Sequence, residues 1–182
     1  MPTLPESNSP PPAERGTPDL TAATTAPEEG AVAVLGRIPS GLFVVTWREG
    51  DADRTMLASW VMQAGFAPPL ISIAVAKGRD LLAAIDRGTS LVVNILGESQ
   101  RPLLARFGRP PAAGEDPLAG LPVVRTGDGT AALAGTTGWL SCRGIARTHA
   151  GDHAVVVAEV IAGGMGSGEQ PLVHVRRNGL RY

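Results

Sequence analysis

The chain has a single cysteine, Cys142, and only three histidines, His149, His153 and His174, in 182 residues. One cysteine can form no internal disulfide and no thiolate zinc site, and its use suits a reducing compartment. The three histidines match no metal-ligand spacing, so no metal is expected. The charge is nearly balanced, at -1, which gives no reason to expect nucleic acid or an anionic membrane surface as partner. No apolar run approaches the roughly 20 residues of a membrane helix, and the first residues lack a charged-then-apolar leader pattern. The expected location is therefore the cytoplasm. There is no G-x-S-x-G elbow and no nucleophile with a recognisable base beside it, so ordinary hydrolytic catalysis is unsupported. The run Gly163-Gly164-Met165-Gly166-Ser167-Gly168 looks like a dinucleotide fingerprint, but Glu169-Gln170-Pro171 follows where a helix is needed, and it reads as a loop. Cys142 falls in the apolar alternation of a strand and reads as packing.

What is present divides in two. Residues 1–30 are rich in Pro, Ser, Thr and Glu, with few large apolar side chains to offset the entropy of ordering, and read as a disordered tail. Residues 31–182 read as one folded domain. Within it, 42–47 and 55–59 form a hairpin about Glu49-Gly50-Asp51, and 70–75 makes a third strand. A short amphipathic helix follows Asp80 and stops at Gly88. Residues 90–96 form a fourth strand, 100–107 a second short helix, and 108–130 an irregular Pro- and Gly-rich excursion. Two long strands, 137–149 and 153–162, meet at Ala150-Gly151-Asp152, and a last strand covers 171–175 before an Asn178-Gly179 turn. Six or seven strands with two or three short helices predict a mainly β fold, an antiparallel barrel closed or nearly closed so that sheet edges are hidden.

The stretch from Arg54 to Asp80 carries the chemistry. A strand that ends in Lys77 and Arg79 at the start of a helix gathers positive charge beside amides without partners, an arrangement suited to a phosphate. Basic residues in a first turn oppose the helix dipole, and an anion relieves that conflict. Solvated surface charge is the plain alternative. Asn94, inside an apolar strand, needs hydrogen-bond partners, in a neighbouring loop or in a ligand. Trp60, beside Ser59, is either core or shelter for a flat ring.

From residue 35 to 182 these pieces resemble the flavin reductase-like, FMN-binding split-barrel family, and are particularly similar to the C-terminal flavin reductase module of flavodiiron proteins. The matching segments are LGRIPSGLFVVT at 35–46, LASWVMQAGFAPPLISIAV at 57–75, VVNIL at 92–96, Phe107, GDH at 151–153 and HVRRNGLRY at 174–182. The resemblance implies a Greek-key-like antiparallel split β-barrel and a homodimer. It implies non-covalent FMN, with FAD as the alternative, and hydride from NADH or NADPH. It places Leu57, Ala58, Ser59 and Trp60 against the ring and ribityl chain with Gln63 nearby, Lys77 and Arg79 on the phosphate, and Asn94, Ile95 and Leu96 along the other side of the ring. His153 is the expected catalytic residue, facing the nicotinamide, with Arg176 and Tyr182 in the same pocket. Leu57 and Trp60 stand where many free-standing members carry hydroxyls. The expected activity is NAD(P)H-dependent flavin reduction that supplies a partner monooxygenase or redox protein. The alternatives are a flavin- or haem-binding module without turnover and a flavin-dependent oxidoreductase with its own organic substrate.

Overall fold

The computed structural model describes residues 29–112 and 114–177. The tail expected over 1–30 lies outside them up to residue 28, as do the Asn178-Gly179 turn and Tyr182. Helix α1 (Glu29–Leu35) opens the described chain, so the boundary expected at 30/31 falls inside a helix. There follow β1 (Ser40–Gly41), β2 (Phe43–Glu49), β3 (Ala52–Ala58), β4 (Val61–Phe66) and β5 (Pro69–Ala76), then α2 (Asp80–Asp86) and β6 (Leu91–Ile95). After a 3₁₀ turn come α3 (Leu103–Phe107), β7 (Val123–Arg125), β8 (Ala131–Leu133), β9 (Gly138–Ala150), β10 (His153–Met165) and β11 (Val173–His174). Among the described residues no helix is long and apolar enough to cross a membrane.

Seven strands form one antiparallel sheet in the order β3-β2-β6-β9-β10-β5-β4. Its two outermost strands, β3 and β4, are consecutive in the chain and joined only by Ser59 and Trp60. So short a link cannot cross a flat seven-stranded sheet, because strands stand about 4.8 Å apart. The sheet must therefore curl until its edges meet at that link. They meet without pairing: among the described residues β3 is bonded only to β2 and β4 only to β5. The result is the expected antiparallel barrel, split along one seam.

Two apolar clusters hold it. Inside the barrel, alternate residues of β5 (Ile71, Ile73, Val75) and β10 (Ala154, Val156, Ala158) point inward with Val45, Leu91, Val93 and Cys142. Helix α2 plugs this interior with Leu81, Leu82 and Ile85, each side chain contributing about 2 kcal/mol of transfer free energy. Desolvation pushes the Cys142 thiol up to about 12, in keeping with packing. Outside the barrel, Val44 and Leu96 are covered by Phe107 of α3, by Leu118, by Leu133 of β8 and by Leu172. Strands β2 and β6 are thus buried on both faces, which explains why their sequences run apolar without alternation.

Asn94 is fully buried and its partners are protein groups: Nδ2 donates to the Val44 carbonyl at 2.9 Å, and Oδ1 accepts from the Leu133 N–H at 2.7 Å. The side chain therefore ties β8 to the sheet. The structure also differs from the sequence expectation at three places. Residues 61–66, where the sequence reading placed no strand, form strand β4, with Pro68 in the turn to β5. The excursion over 108–130 contains β7, which pairs with β8. Gly163 and Gly164, expected in a loop, extend β10 against Leu140 and Trp139. A Cβ at Gly164 would meet the Trp139 indole nitrogen at 2.7 Å, so glycine here lets the indole lie on the neighbouring strand.

Candidate functional site

The seam of the barrel holds a cavity of about 200 Å³. It exists because β4 begins opposite Ile73, which leaves the edge of β5 from Ala74 to Ala76 without a ladder partner on that side. Only the Trp60 carbonyl reaches across, accepting the Ala74 N–H at 2.9 Å. The walls are the end of β3 from Thr55 to Ser59, the small side chains Ala74 and Ala76, and the chain leaving α3 from Phe107 to Pro110, with Arg79 and His153 completing the rim. None of these lining residues is acidic.

Each polar group reaches the seam for a local reason. The pairing of β10 with β5 sets His153 opposite Ala76, which delivers the imidazole to the cavity at the first residue after a turn. Its Nδ1–H donates to the Asp152 carboxylate at 2.7 Å, leaving Nε2 as the nitrogen open to another partner. That hydrogen bond, with the charge of His153, holds the Asp152 carboxyl below its ordinary value. The imidazole also packs on Trp60, ring centroids 4.9 Å apart, and the Arg176 guanidinium carbon lies 4.6 Å from the centroid of the same indole. Ser59 is 5% exposed, lines the cavity, and its Oγ has no hydrogen-bond partner. A buried hydroxyl left unpaired costs free energy until something supplies a partner.

The residues proposed from sequence are thus distributed over five places. Leu57, Ala58, Ser59, Arg79 and His153 share the seam cavity. Trp60 and Arg176 stack beside His153. Lys77 is exposed, its backbone N–H donating to the Asp152 carbonyl at 2.9 Å. Gln63 and Ile95 line a different, largely apolar cavity of about 400 Å³ with Phe43, Leu70 and Leu140. Asn94 and Leu96 are fully buried and line neither cavity. Helix α2 has only seven residues and already carries Asp80 in its first turn, so positive charge at the seam comes from the Arg79 side chain rather than from the helix. Sequence reasoning missed the alanines of β5 and the wall at Gly108, Arg109 and Pro110. The signal available for the alanines was their small size on the face opposite Ile71, Ile73 and Val75.

A sequence model described as "Flavin reductase like domain" matches residues 35–180. The chain belongs to that family. Diflavin flavoprotein A 3 of Nostoc sp. is 36% identical over 150 residues, covering 81% of this chain and 26% of that protein. The chain therefore spans about a quarter of the length of that relative. Among solved structures, nitrilotriacetate monooxygenase component B from Mycobacterium thermoresistibile superposes with a TM-score of 0.72 at 24% identity, covering 80% of each chain. The Streptomyces globisporus NADH:FAD oxidoreductase gives 0.68 at 24% identity over 82% of each. At these identities the structural likeness establishes the split-barrel fold.

The seam suits the flavin that the family implies. The orphaned Ser59 hydroxyl offers a donor and an acceptor, and Ala74 and Ala76 leave room at the floor. The Arg79 backbone bonds Ala76 and Leu82, but its guanidinium has no ion-pair or hydrogen-bond partner among the described residues and faces no carboxylate across the cavity.

Proposed function

We propose that this domain is an NAD(P)H-dependent flavin reductase that holds FMN in the barrel seam. The observation that carries this reading is the seam cavity itself, where an unpartnered serine hydroxyl, an unpaired arginine and a carboxylate-oriented histidine meet in a domain of the flavin reductase family. When bound, the flavin supplies the redox chemistry, taking hydride from the nicotinamide and passing electrons on. The chain supplies binding, orientation and shielding from water. Arg79 neutralises the phosphate, while Leu57 and Ala58 flank the ring with Ser59 as a hydrogen-bond partner. His153 positions the nicotinamide through Nε2, with Asp152 fixing its tautomer, and Trp60 and Arg176 form the adjoining wall.

The acting unit in this reading is a homodimer in the cytoplasm. The cavity of one chain, about 200 Å³, is below the roughly 300–1,000 Å³ usual for ligand pockets, so a second protomer is needed to close it. Edge strand β4 offers the surface: Met62 is 71% and Phe66 87% exposed, beside the second apolar cavity. Two of the compared proteins are, by name, a monooxygenase component and an NADH:FAD oxidoreductase, which supports a monooxygenase or redox protein as recipient of the reduced flavin. Anaerobic stopped-flow absorbance on the FMN-loaded protein tests the reading. Rapid bleaching with NADH or NADPH establishes both activity and donor. Bound flavin that ignores both nicotinamides refutes a reductase.

A further inference from the structure

The outer wall of the seam is built by an ion pair that no part of the flavin reading uses. The chain leaving α3 lines the cavity at Gly108, Arg109 and Pro110, then returns toward the barrel. Its far end is fastened by Arg106, whose guanidinium donates to the carbonyls of Pro117 at 2.9 Å and Ala119 at 2.7 Å, and by buried Leu118. Nearer the cavity the Gly108 N–H donates to the Leu104 carbonyl at 2.9 Å, and the Arg109 guanidinium, which also donates to the Pro110 carbonyl at 3.3 Å, is held by Glu115. The Arg109 guanidinium donates to the two Glu115 oxygens at 2.9 and 2.7 Å, and one of those oxygens also accepts the Ala112 N–H at 2.7 Å. The Glu115 N–H returns a bond to the Ala112 carbonyl at 3.0 Å. A planar two-point pair with a third bond to backbone fixes direction as well as distance. Glu115 itself does not line the cavity.

We propose that Glu115 is a positioning residue for the flavin site, acting through Arg109 to hold residues 108–110 as the cavity's outer wall. The inference rests on the reading of the seam as a flavin site. Its action is mechanical: the carboxylate neutralises Arg109 and sets the wall, while Arg79 faces the anionic end of the ligand. Loss of Glu115 frees the near end of the loop and leaves the Arg106 and Leu118 fastenings intact, so the domain stays folded while the site loosens.

The test uses Glu115→Gln and the charge exchange that combines Arg109→Glu with Glu115→Arg, with FMN and riboflavin as probes. Riboflavin lacks the phosphate and so reports the wall without the Arg79 contribution. Fluorescence titration should show Glu115→Gln weakening both flavins by a similar factor of about 3–5, the scale of an exposed ion pair. The exchanged pair should recover most of that loss. Wild-type riboflavin affinity should fall at high salt, which screens exposed pairs, and that salt dependence should vanish in Glu115→Gln. Hydrogen exchange on the ligand-free proteins should be faster at the Arg109 and Ala112 amides in Glu115→Gln and restored in the exchanged pair. Unchanged affinity and exchange in Glu115→Gln overturn the proposal while leaving the flavin site standing. Tighter FMN with unchanged riboflavin also overturns it, since Arg109 would then act on the phosphate directly. A wild-type protein that binds neither flavin removes the site reading and this inference together.

Discussion

At the scale of single residues, the seam separates groups that serve the fold from groups left for a ligand. Ser59 belongs to the second kind, because its buried Oγ has no partner among the described residues. Ser59→Ala should leave the ligand-free protein at least as stable as before, since it removes an unpaired buried hydroxyl, and should weaken FMN by about 5-fold, the value of one hydrogen bond near 1 kcal/mol; thermal melts and flavin titration check the two halves. His153→Ala should slow hydride transfer by about 100-fold, as expected for removing a positioned proton-bearing group, with a far smaller change in FMN affinity; equal losses in both would count against its role toward the nicotinamide. Glu115 offers a pH test. Hydrogen bonds from Arg109 and from the Ala112 N–H hold its carboxyl at about 2, below its unfolded value, so the brace is fully present above the ordinary carboxylate range and is lost as pH falls toward 2. Carbon NMR of the carboxyl should show titration there, and Arg109→Met should return it toward its ordinary value.

At the scale of elements, the placement of β8 depends on two buried side chains. Asn94 supplies the acceptor for the Leu133 N–H and donates to the Val44 carbonyl, and the Thr46 hydroxyl donates to the Ala131 carbonyl, so the β7–β8 arm docks by side chains rather than by a ladder. Asn94→Ala leaves a buried donor unmet and should cost about 2 kcal/mol. Chemical denaturation should show that loss, while FMN affinity of the folded fraction stays near the wild-type value; a selective loss of FMN affinity would return Asn94 to the ring. The strands and helices themselves were largely legible. Alternation in β5, the turn at Glu49-Gly50-Asp51 and the helix start after Asp80 are local signals, each within a few residues. Strand β4 was not legible, because an edge strand needs only one paired side and its sequence, with Gln63 and Gly65 inside it, carries no alternation. Strands β7 and β8 are three residues each and exist through Asn94 and the outer cluster, contacts more than thirty residues away in sequence.

At the scale of the whole molecule, function depends on how the sheet ends. Curling brings β3 and β4 together without pairing them, and the unpaired edge of β5 becomes the cavity. The exposed Met62 and Phe66 stand on the same edge. On the proposed homodimer reading, Phe66→Glu should give a monomer in light scattering where the wild type gives a dimer, and reduce FMN retention by about 10-fold or more, because a charge at an apolar contact must be desolvated without a partner. Retained flavin in a monomer would show that one chain suffices.

The amino-acid sequence alone determined the strand-rich pattern, the helix stopped at Gly88, the basic residue at the seam and the histidine after the Gly151-Asp152 turn, since each depends on neighbours close in the chain. Through its ordered segments it also pointed to the flavin reductase family. Only the tertiary structure decided which of the named residues meet. It joined His153 to the end of β5 near Arg79 through the β5–β10 register and Ser59 to them through the β3–β4 link, sent Gln63 and Ile95 to another cavity, gave Asn94 to the core, and brought Arg109 to the wall. Those assignments follow from register and from the face a side chain occupies, and in a sheet a shift of one residue reverses the face.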